Sequence, residues 1–184
     1  MVILTGLIGS GKTTLACELA VAGDLALISS DVTRKSLAGL PLEQHRYEEL
    51  EQGIYSPEFS RRTYDVMFDQ ASSLLRNRRS VIIDASFRKA ADRRKAYQIA
   101  REAGANLWVV ECRAPEEVIR ERLRRRREEA SLSNATLEIF DDLKKAFEPV
   151  VGEPGNHLIV QTTRPVHEIA RSVLQEIDRR AARL

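Results

Sequence analysis

The chain has 184 residues, of which 43% are hydrophobic and 30% charged, with a formal net charge of +2. That length suits one domain with a sound core, the proportions are those of an ordinary globular protein, and the near-neutral balance argues neither for nor against nucleic acid. No apolar run approaches the ~20 residues that cross a bilayer, so no membrane role is expected.

Val2–Thr5 reads as a short buried strand, followed by a glycine-rich turn and an amphipathic helix over 12–22 that ends near Gly23. A second strand, Leu25–Ser29, leads into a short helix from Asp31 to Leu37, stopped by Gly39 and Pro41. Residues 43–55 are polar and show no clear period. Ser56-Pro57-Glu58 is a strong helix start, with a hydroxyl cap, proline at the first helical position and an acid in the first turn. The helix it opens runs to about Asn77, and its Tyr64, Met67, Phe68, Ala71, Leu74 and Leu75 stripe reads as core. Ser80–Asp84 is a buried-type strand, 89–103 a helix stopped by Gly104, and Leu107–Cys112 another buried strand. Pro115 opens an arginine-rich helix, and a further helix spans about Ala135–Phe147. Leu158–Gln161 and Val166–Ala182 are the last strand and helix, and the polar stretch Glu128–Asn134 reads as a loop. Strands alternating with helices predict a parallel sheet with helices on both faces, in a single domain over 1–184.

Residues 6–13, Gly6-Leu7-Ile8-Gly9-Ser10-Gly11-Lys12-Thr13, complete the G-x-x-x-x-G-K-[ST] pattern in the strand–loop–helix frame that gives it meaning. Gly6, Gly9 and Gly11 let the backbone curl so that successive N–H groups, including those of Ser10 and Thr14, aim at phosphate oxygens. The helix start adds its positive end. Lys12 supplies a cation for the β- and γ-phosphates, and the Thr13 hydroxyl can ligate Mg²⁺. The motif therefore predicts binding of a nucleoside triphosphate.

Three further features bear on the fate of the bound nucleotide. Asp31 sits at the carboxyl end of the second strand, the edge where open parallel sheets bind ligands, so it is a candidate base for an attacking hydroxyl. A helix-capping role is its alternative. Arg34, one turn on, is a candidate acceptor contact. Asp84 ends an apolar strand as a Mg²⁺-binding carboxylate does, with Ser86 beside it. Arg120, Arg122 and Arg124–Arg127 crowd one helix. Much of that charge pairs with Glu116, Glu117 and Glu121 at helical spacing. One or two arginines, with Arg122 and Arg126 on one face, are expected to neutralise charge moving in phosphoryl transfer. The absence of a guanine-reading Asn-Lys-x-Asp motif argues against a GTPase switch.

The P-loop, Asp31-x-x-Arg34, Val81-Ile82-Ile83-Asp84-Ala85-Ser86 and the arginine segment together resemble the small P-loop kinases. Closest are the ATP-binding kinase-like domains found alone or fused to aminoglycoside-phosphotransferase-like domains; Ser29–Leu40, Ser80–Phe87 and Asn134-Ala135-Thr136 carry that likeness. The pattern is also similar to polynucleotide 5′-hydroxyl kinases and zeta-toxin-like kinases, and more distantly to gluconate and shikimate kinases. The resemblance implies a three-layer α/β/α fold with a five-stranded parallel sheet in the order 2-3-1-4-5. It further implies an arginine-rich lid over about 115–147, ATP and Mg²⁺, and adenine held between a lid arginine and the loop Thr162–Pro165. In it Asp31 is the base, Arg34 the acceptor contact, and a residue within Arg122–Arg126 the lid arginine.

The expected reaction is transfer of the γ-phosphoryl to a hydroxyl of a small molecule. A nucleic-acid 5′-hydroxyl end is the alternative acceptor, and a nucleotide-binding regulatory module without transfer a third reading. Aromatic residues at 5% argue against a nucleic-acid entrance lined with stacking platforms. With the first strand at Val2 there is no room for a secretory leader, so a cytoplasmic protein is expected, with Cys17 and Cys112 as reduced core thiols.

Overall fold

The computed structural model describes residues 1–42, 52–129, 135–152 and 155–182, with the backbone alone at 126–129 and 135–139. Five strands, β1 (Val2–Thr5), β2 (Ala26–Ser29), β3 (Val81–Asp84), β4 (Trp108–Arg113) and β5 (Asn156–Gln161), form one all-parallel sheet in the order β2-β3-β1-β4-β5. This is the strand order the resemblance implies. β1 and β3 are buried at every position, which explains why both read as unbroken apolar runs rather than alternating ones. The register places both Leu4 of β1 and Ser29 of β2 opposite Asp84 of β3. The carboxyl ends of these three strands are therefore level, and the segments that leave them start from one sheet edge.

The helices are α1 (Lys12–Ala22), α2 (Ser30–Leu37), α3 (Pro57–Arg76), α4 (Ala90–Glu102), α5 (Glu116–Glu129), α6 (Ala135–Lys145) and α7 (Val166–Ala181), with a 3₁₀ turn at Gly53–Tyr55. α3 begins as its sequence dictates: Ser56 Oγ accepts from Phe59 N at 3.2 Å, and Pro57 occupies the first turn. Alternate strand residues feed two cores. Ile3, Ile83 and Val109 pack with Met67, Phe68 and Ala71 of α3 and Ala96 of α4. Leu4, Ile82 and Val110 pack with Leu15 and Leu19 of α1 and Ile169 and Val173 of α7. The α3 stripe is core, as its spacing predicts.

A third cluster joins Ile119 and Leu123 of α5 to Phe140 of α6, with Leu7 and Ile8 of the glycine-rich loop against it. It seats the arginine-rich helix on that loop. Residues 43–51 and the stretch 130–134 lie outside the described residues.

The two cysteines differ from the expectation that both are core thiols. Cys112 is buried, but Cys17 is exposed. The buried positions of α1 are Leu15, Ala16 and Leu19, and Cys17 lies round the helix from all three. Burial pushes the Cys112 thiol up to about 12, so it behaves as an apolar packing group.

Candidate active site

The turn between β1 and α1 is built where side chains cannot fit. Gly6 has φ of +139°, and a Cβ there would come within 2.5 Å of the Cys112 carbonyl oxygen. Gly11 caps α1 in the left-handed region at φ of +87°, its Cβ position 3.2 Å from Thr162 Cβ. Ser10 N donates to Leu7 O at 3.1 Å, closing the curl. Lys12, the first residue of α1, reaches back so that Nζ donates to Leu7 O at 2.8 Å. Thr13 and Thr14 come next, at the exposed helix start. The buried Ser10 Oγ has no protein hydrogen-bond partner among the described residues, in keeping with a loop whose polar groups are meant for a ligand.

Asp84 is 5% exposed at the end of β3, one strand from the loop. Gly6 N donates to Ser86 O at 3.3 Å, which ties the two strand ends together. The Thr13 hydroxyl and the Asp84 carboxylate are hard oxygen donors, the chemistry that suits Mg²⁺ alongside phosphate and water oxygens. On that ground the residues fit the metal.

Thr162, directly after β5, links the loop to α5. Its hydroxyl donates to Ser10 O at 2.8 Å, with Arg113 O also in reach at 3.2 Å. Arg122 of α5 donates to it from Nη1 at 3.1 Å and to Thr162 O from Nη2 at 2.5 Å, with Gly9 O 3.4 Å from Nη1. A cavity of about 270 Å³ opens here. Gly9, Gly11 and Thr14 line one side, Arg122 and Arg125 another, and Thr162, Arg164 and Val166 a third. It lies between an arginine of α5 and the loop after β5, the place the resemblance implies for adenine. The Arg126 side chain lies outside the described residues.

Asp31 falls in the first turn of α2, two residues beyond Ser29, on the same edge as Asp84 and the loop. α2 carries no side-chain capping hydrogen bond at its start, and Asp31 Oδ2 instead accepts from Lys35 Nζ at 2.8 Å. Arg34, one turn on, is anchored by protein groups. It is only 9% exposed, donates from Nη1 to Ile54 O and, at 3.2 Å, to Ser60 Oγ, and lies over the Tyr55 ring at 4.9 Å. Burial lowers its pKa from the ordinary guanidinium value, and the electrostatic influence of Tyr55 and Asp31 opposes that shift.

Arg93 is unmarked in the sequence. This residue of α4 is 1% exposed and spends its fork on backbone. Nη1 donates to Phe87 O at 2.7 Å, and Nη2 to Glu148 O at 3.0 Å and Pro149 O at 3.1 Å. Tyr64 OH accepts from Phe87 N at 3.0 Å, and Thr5 Oγ1 lies 3.0 Å from Ser86 O. The segment after Asp84 is thus fixed from several directions although Phe87 has φ of +41°. An arginine within an apparently solvated helix carries no mark of such a role; only the carbonyls it meets reveal it.

A parallel sheet in this order, a P-loop under α5 and carboxylates level at the sheet edge define a P-loop nucleotide-binding fold of the kinase type. The chain belongs to the AAA_33 family (AAA domain), which matches residues 1–150. No curated protein matches the sequence. Among solved structures, a chain from Chloroflexus aurantiacus superposes with a TM-score of 0.73 at 22% identity, over 95% of this chain and 96% of that one. A gluconokinase from Sinorhizobium meliloti 1021 gives 0.69 at 21% identity over 99% and 93%, and a shikimate kinase from Acinetobacter baumannii 0.63 at 20% over 96% and 91%. These likenesses concern the fold. Among the described residues no helix is long and apolar enough to cross a membrane.

Proposed function

We propose that this chain is a single-domain kinase that transfers the γ-phosphoryl of Mg-ATP to a hydroxyl of a small-molecule acceptor. The observation that carries the reading is the shared edge: Leu4 and Ser29 both stand opposite Asp84, so the segments that carry the P-loop and Asp31 leave the sheet level with Asp84.

Gly6, Gly9, Ser10, Gly11 and Thr14 supply the phosphate cradle, and Lys12 swings its ammonium from Leu7 O to the β- and γ-oxygens. Thr13 and Asp84 are the residues that hold Mg²⁺, which when bound neutralises phosphate charge. Asp31 accepts the proton of the acceptor hydroxyl. As that O–H bond breaks, a bond forms from the acceptor oxygen to the γ-phosphorus. The bond from phosphorus to the β–γ bridging oxygen breaks, and ADP leaves with the electron pair. Arg122, with Arg126 one turn on, neutralises charge near the loop from the lid formed by α5 and α6, and the cavity beside Arg122 takes the nucleoside. Arg34 belongs to the acceptor side, where it fixes Tyr55 and the start of α3.

The fold neighbours bearing the names gluconokinase and shikimate kinase favour a polyhydroxylated small molecule. The test is transfer from γ-labelled ATP to hydroxylated acids, sugars and antibiotics, in parallel with a 5′-hydroxyl oligonucleotide. Labelling of a small molecule is expected. Labelling of the oligonucleotide alone replaces the acceptor class, and ATP binding without any labelling points to a regulatory module.

A further inference from the structure

Lys35 and Asp31 are usually the kind of i,i+4 pair that decorates a helix surface and contributes little. Here the two partners are unequally placed. The Lys35 side chain is 7% exposed, while Asp31 is 57% exposed. A buried ammonium is rare and must be held by acceptors. Among the described residues Lys35 has two, the Asp31 Oδ2 as an ion pair at 2.8 Å and the Leu42 carbonyl oxygen at 2.7 Å. The cation is therefore the fixed member of the pair, anchored to backbone beyond the end of α2, and the carboxylate is the member it aims. One carboxylate oxygen, Oδ2, faces Lys35, and Oδ1 has no hydrogen-bond partner among the described residues.

We propose that Lys35 is a positioning residue for the catalytic carboxylate of Asp31, holding its side chain in the one orientation that receives the acceptor proton. The inference rests on the reading of Asp31 as the base. The acceptor proton passes to Asp31 Oδ1 while the acceptor oxygen replaces the β–γ bridging oxygen on phosphorus. A base oriented by a further group is a recurrent device wherever a hydroxyl is activated. It suits this reaction because in-line phosphoryl transfer has a loose transition state. Such a state asks the base for direction more than for strength, which is what an anchored ion pair supplies.

Arg34, although adjacent, cannot share the task. Successive residues of a helix do not face each other, and its guanidinium is occupied at Ile54, Ser60 and Tyr55. The position beside the familiar-looking arginine is thus the one that serves the carboxylate.

The experiment is a double-mutant cycle on the full chain with Mg-ATP. It combines Lys35→Met and Asp31→Asn, and reads transfer to whichever hydroxyl compound is labelled and to water as basal phosphate release. Lys35→Met is expected to lower kcat about 10–100-fold, the scale of a misdirected catalytic group, with KM for ATP unchanged. In the Asp31→Asn background the same change is expected to cost less than ~2-fold, because residues that act as a unit are non-additive. Lys35→Gln, which retains a donor for Leu42 O, serves if the methionine variant does not fold, with the same expectation. The ion pair is read without activity by ¹H–¹⁵N NMR of lysine ammonium groups, where a protected Lys35 signal is expected and is lost in Asp31→Asn. An equal loss of kcat in both backgrounds, or no protected signal, overturns the inference. Full activity of Asp31→Asn overturns instead the reading of Asp31 on which it rests.

Discussion

The Arg122 guanidinium grips both polar groups of Thr162, its carbonyl oxygen at 2.5 Å and its hydroxyl at 3.1 Å, while that hydroxyl donates to the Ser10 carbonyl of the P-loop at 2.8 Å. Three parts of the chain far apart in sequence, α5, the turn after β5 and the phosphate loop, are joined through one threonine. Arg122→Ala is expected to lower kcat/KM about 10²-fold, since it removes this link and, on the proposed reading, a cation that neutralises charge near the phosphate loop. Arg122→Lys is expected to recover little, because a point charge cannot reproduce a planar fork. Steady-state kinetics with ATP as the varied substrate checks both.

Arg93 gives a prediction on stability rather than on chemistry. Removing it takes a donor from the buried Phe87 carbonyl, which among the described residues keeps only Thr5 Oγ1 at 3.2 Å, and from the part-buried carbonyls of Glu148 and Pro149, and it empties the volume of a side chain that is 1% exposed. Arg93→Ala is expected to destabilise the fold by about 1–3 kcal/mol, the range for leaving buried hydrogen-bonding groups without their donor. Chemical denaturation, read as a lowered midpoint at unchanged slope, is the measurement.

Tyr64 predicts the alkaline limit. Burial pushes its phenol up to about 12, a hydrogen bond with Ser86 opposes the shift, and Asp92 adds to it. In the unfolded chain a tyrosine titrates near ~10. Below that pH neither state is ionised and the group is neutral to stability. Between about 10 and 12 the unfolded state loses the proton and the folded state keeps it, so stability falls as pH rises, by about 3 kcal/mol across the window. Tyr64→Phe is expected to flatten that fall and to remove the late-titrating phenol from an absorbance titration at alkaline pH.

Much of the architecture is legible in the residues alone, for identifiable reasons. Strands buried on both faces write unbroken apolar runs, so Val2–Thr5 and Val81–Asp84 are plain, and Ser56-Pro57 marks the start of α3 to the residue. The phosphate loop is written in backbone geometry that only glycine permits, and so survives in sequence as a pattern. Side chains that act on distant backbone leave no such pattern. Arg93 reads as one more solvated helix arginine, and Lys35 as one half of a surface pair, until the carbonyls they meet are in view. The spacing of Arg34 from Asp31 predicts that it faces the acceptor. Its contacts in the fold, Ile54 and Ser60, lie 20 and 26 residues away, and no local spacing encodes them. Cys17 fails as a core thiol because two residues along a helix cross from its buried to its open face.

Whether Asp31 activates the acceptor, at the edge it shares with Asp84 and the P-loop, decides the functional reading. Phosphate transfer from γ-labelled ATP by the native chain and by Asp31→Asn, with ATP affinity determined for both, answers it. Unchanged ATP binding is expected, with a loss of transfer of about 10²–10⁴-fold, the contribution of a positioned base. Full transfer by Asp31→Asn, with ATP still bound, would contradict that role.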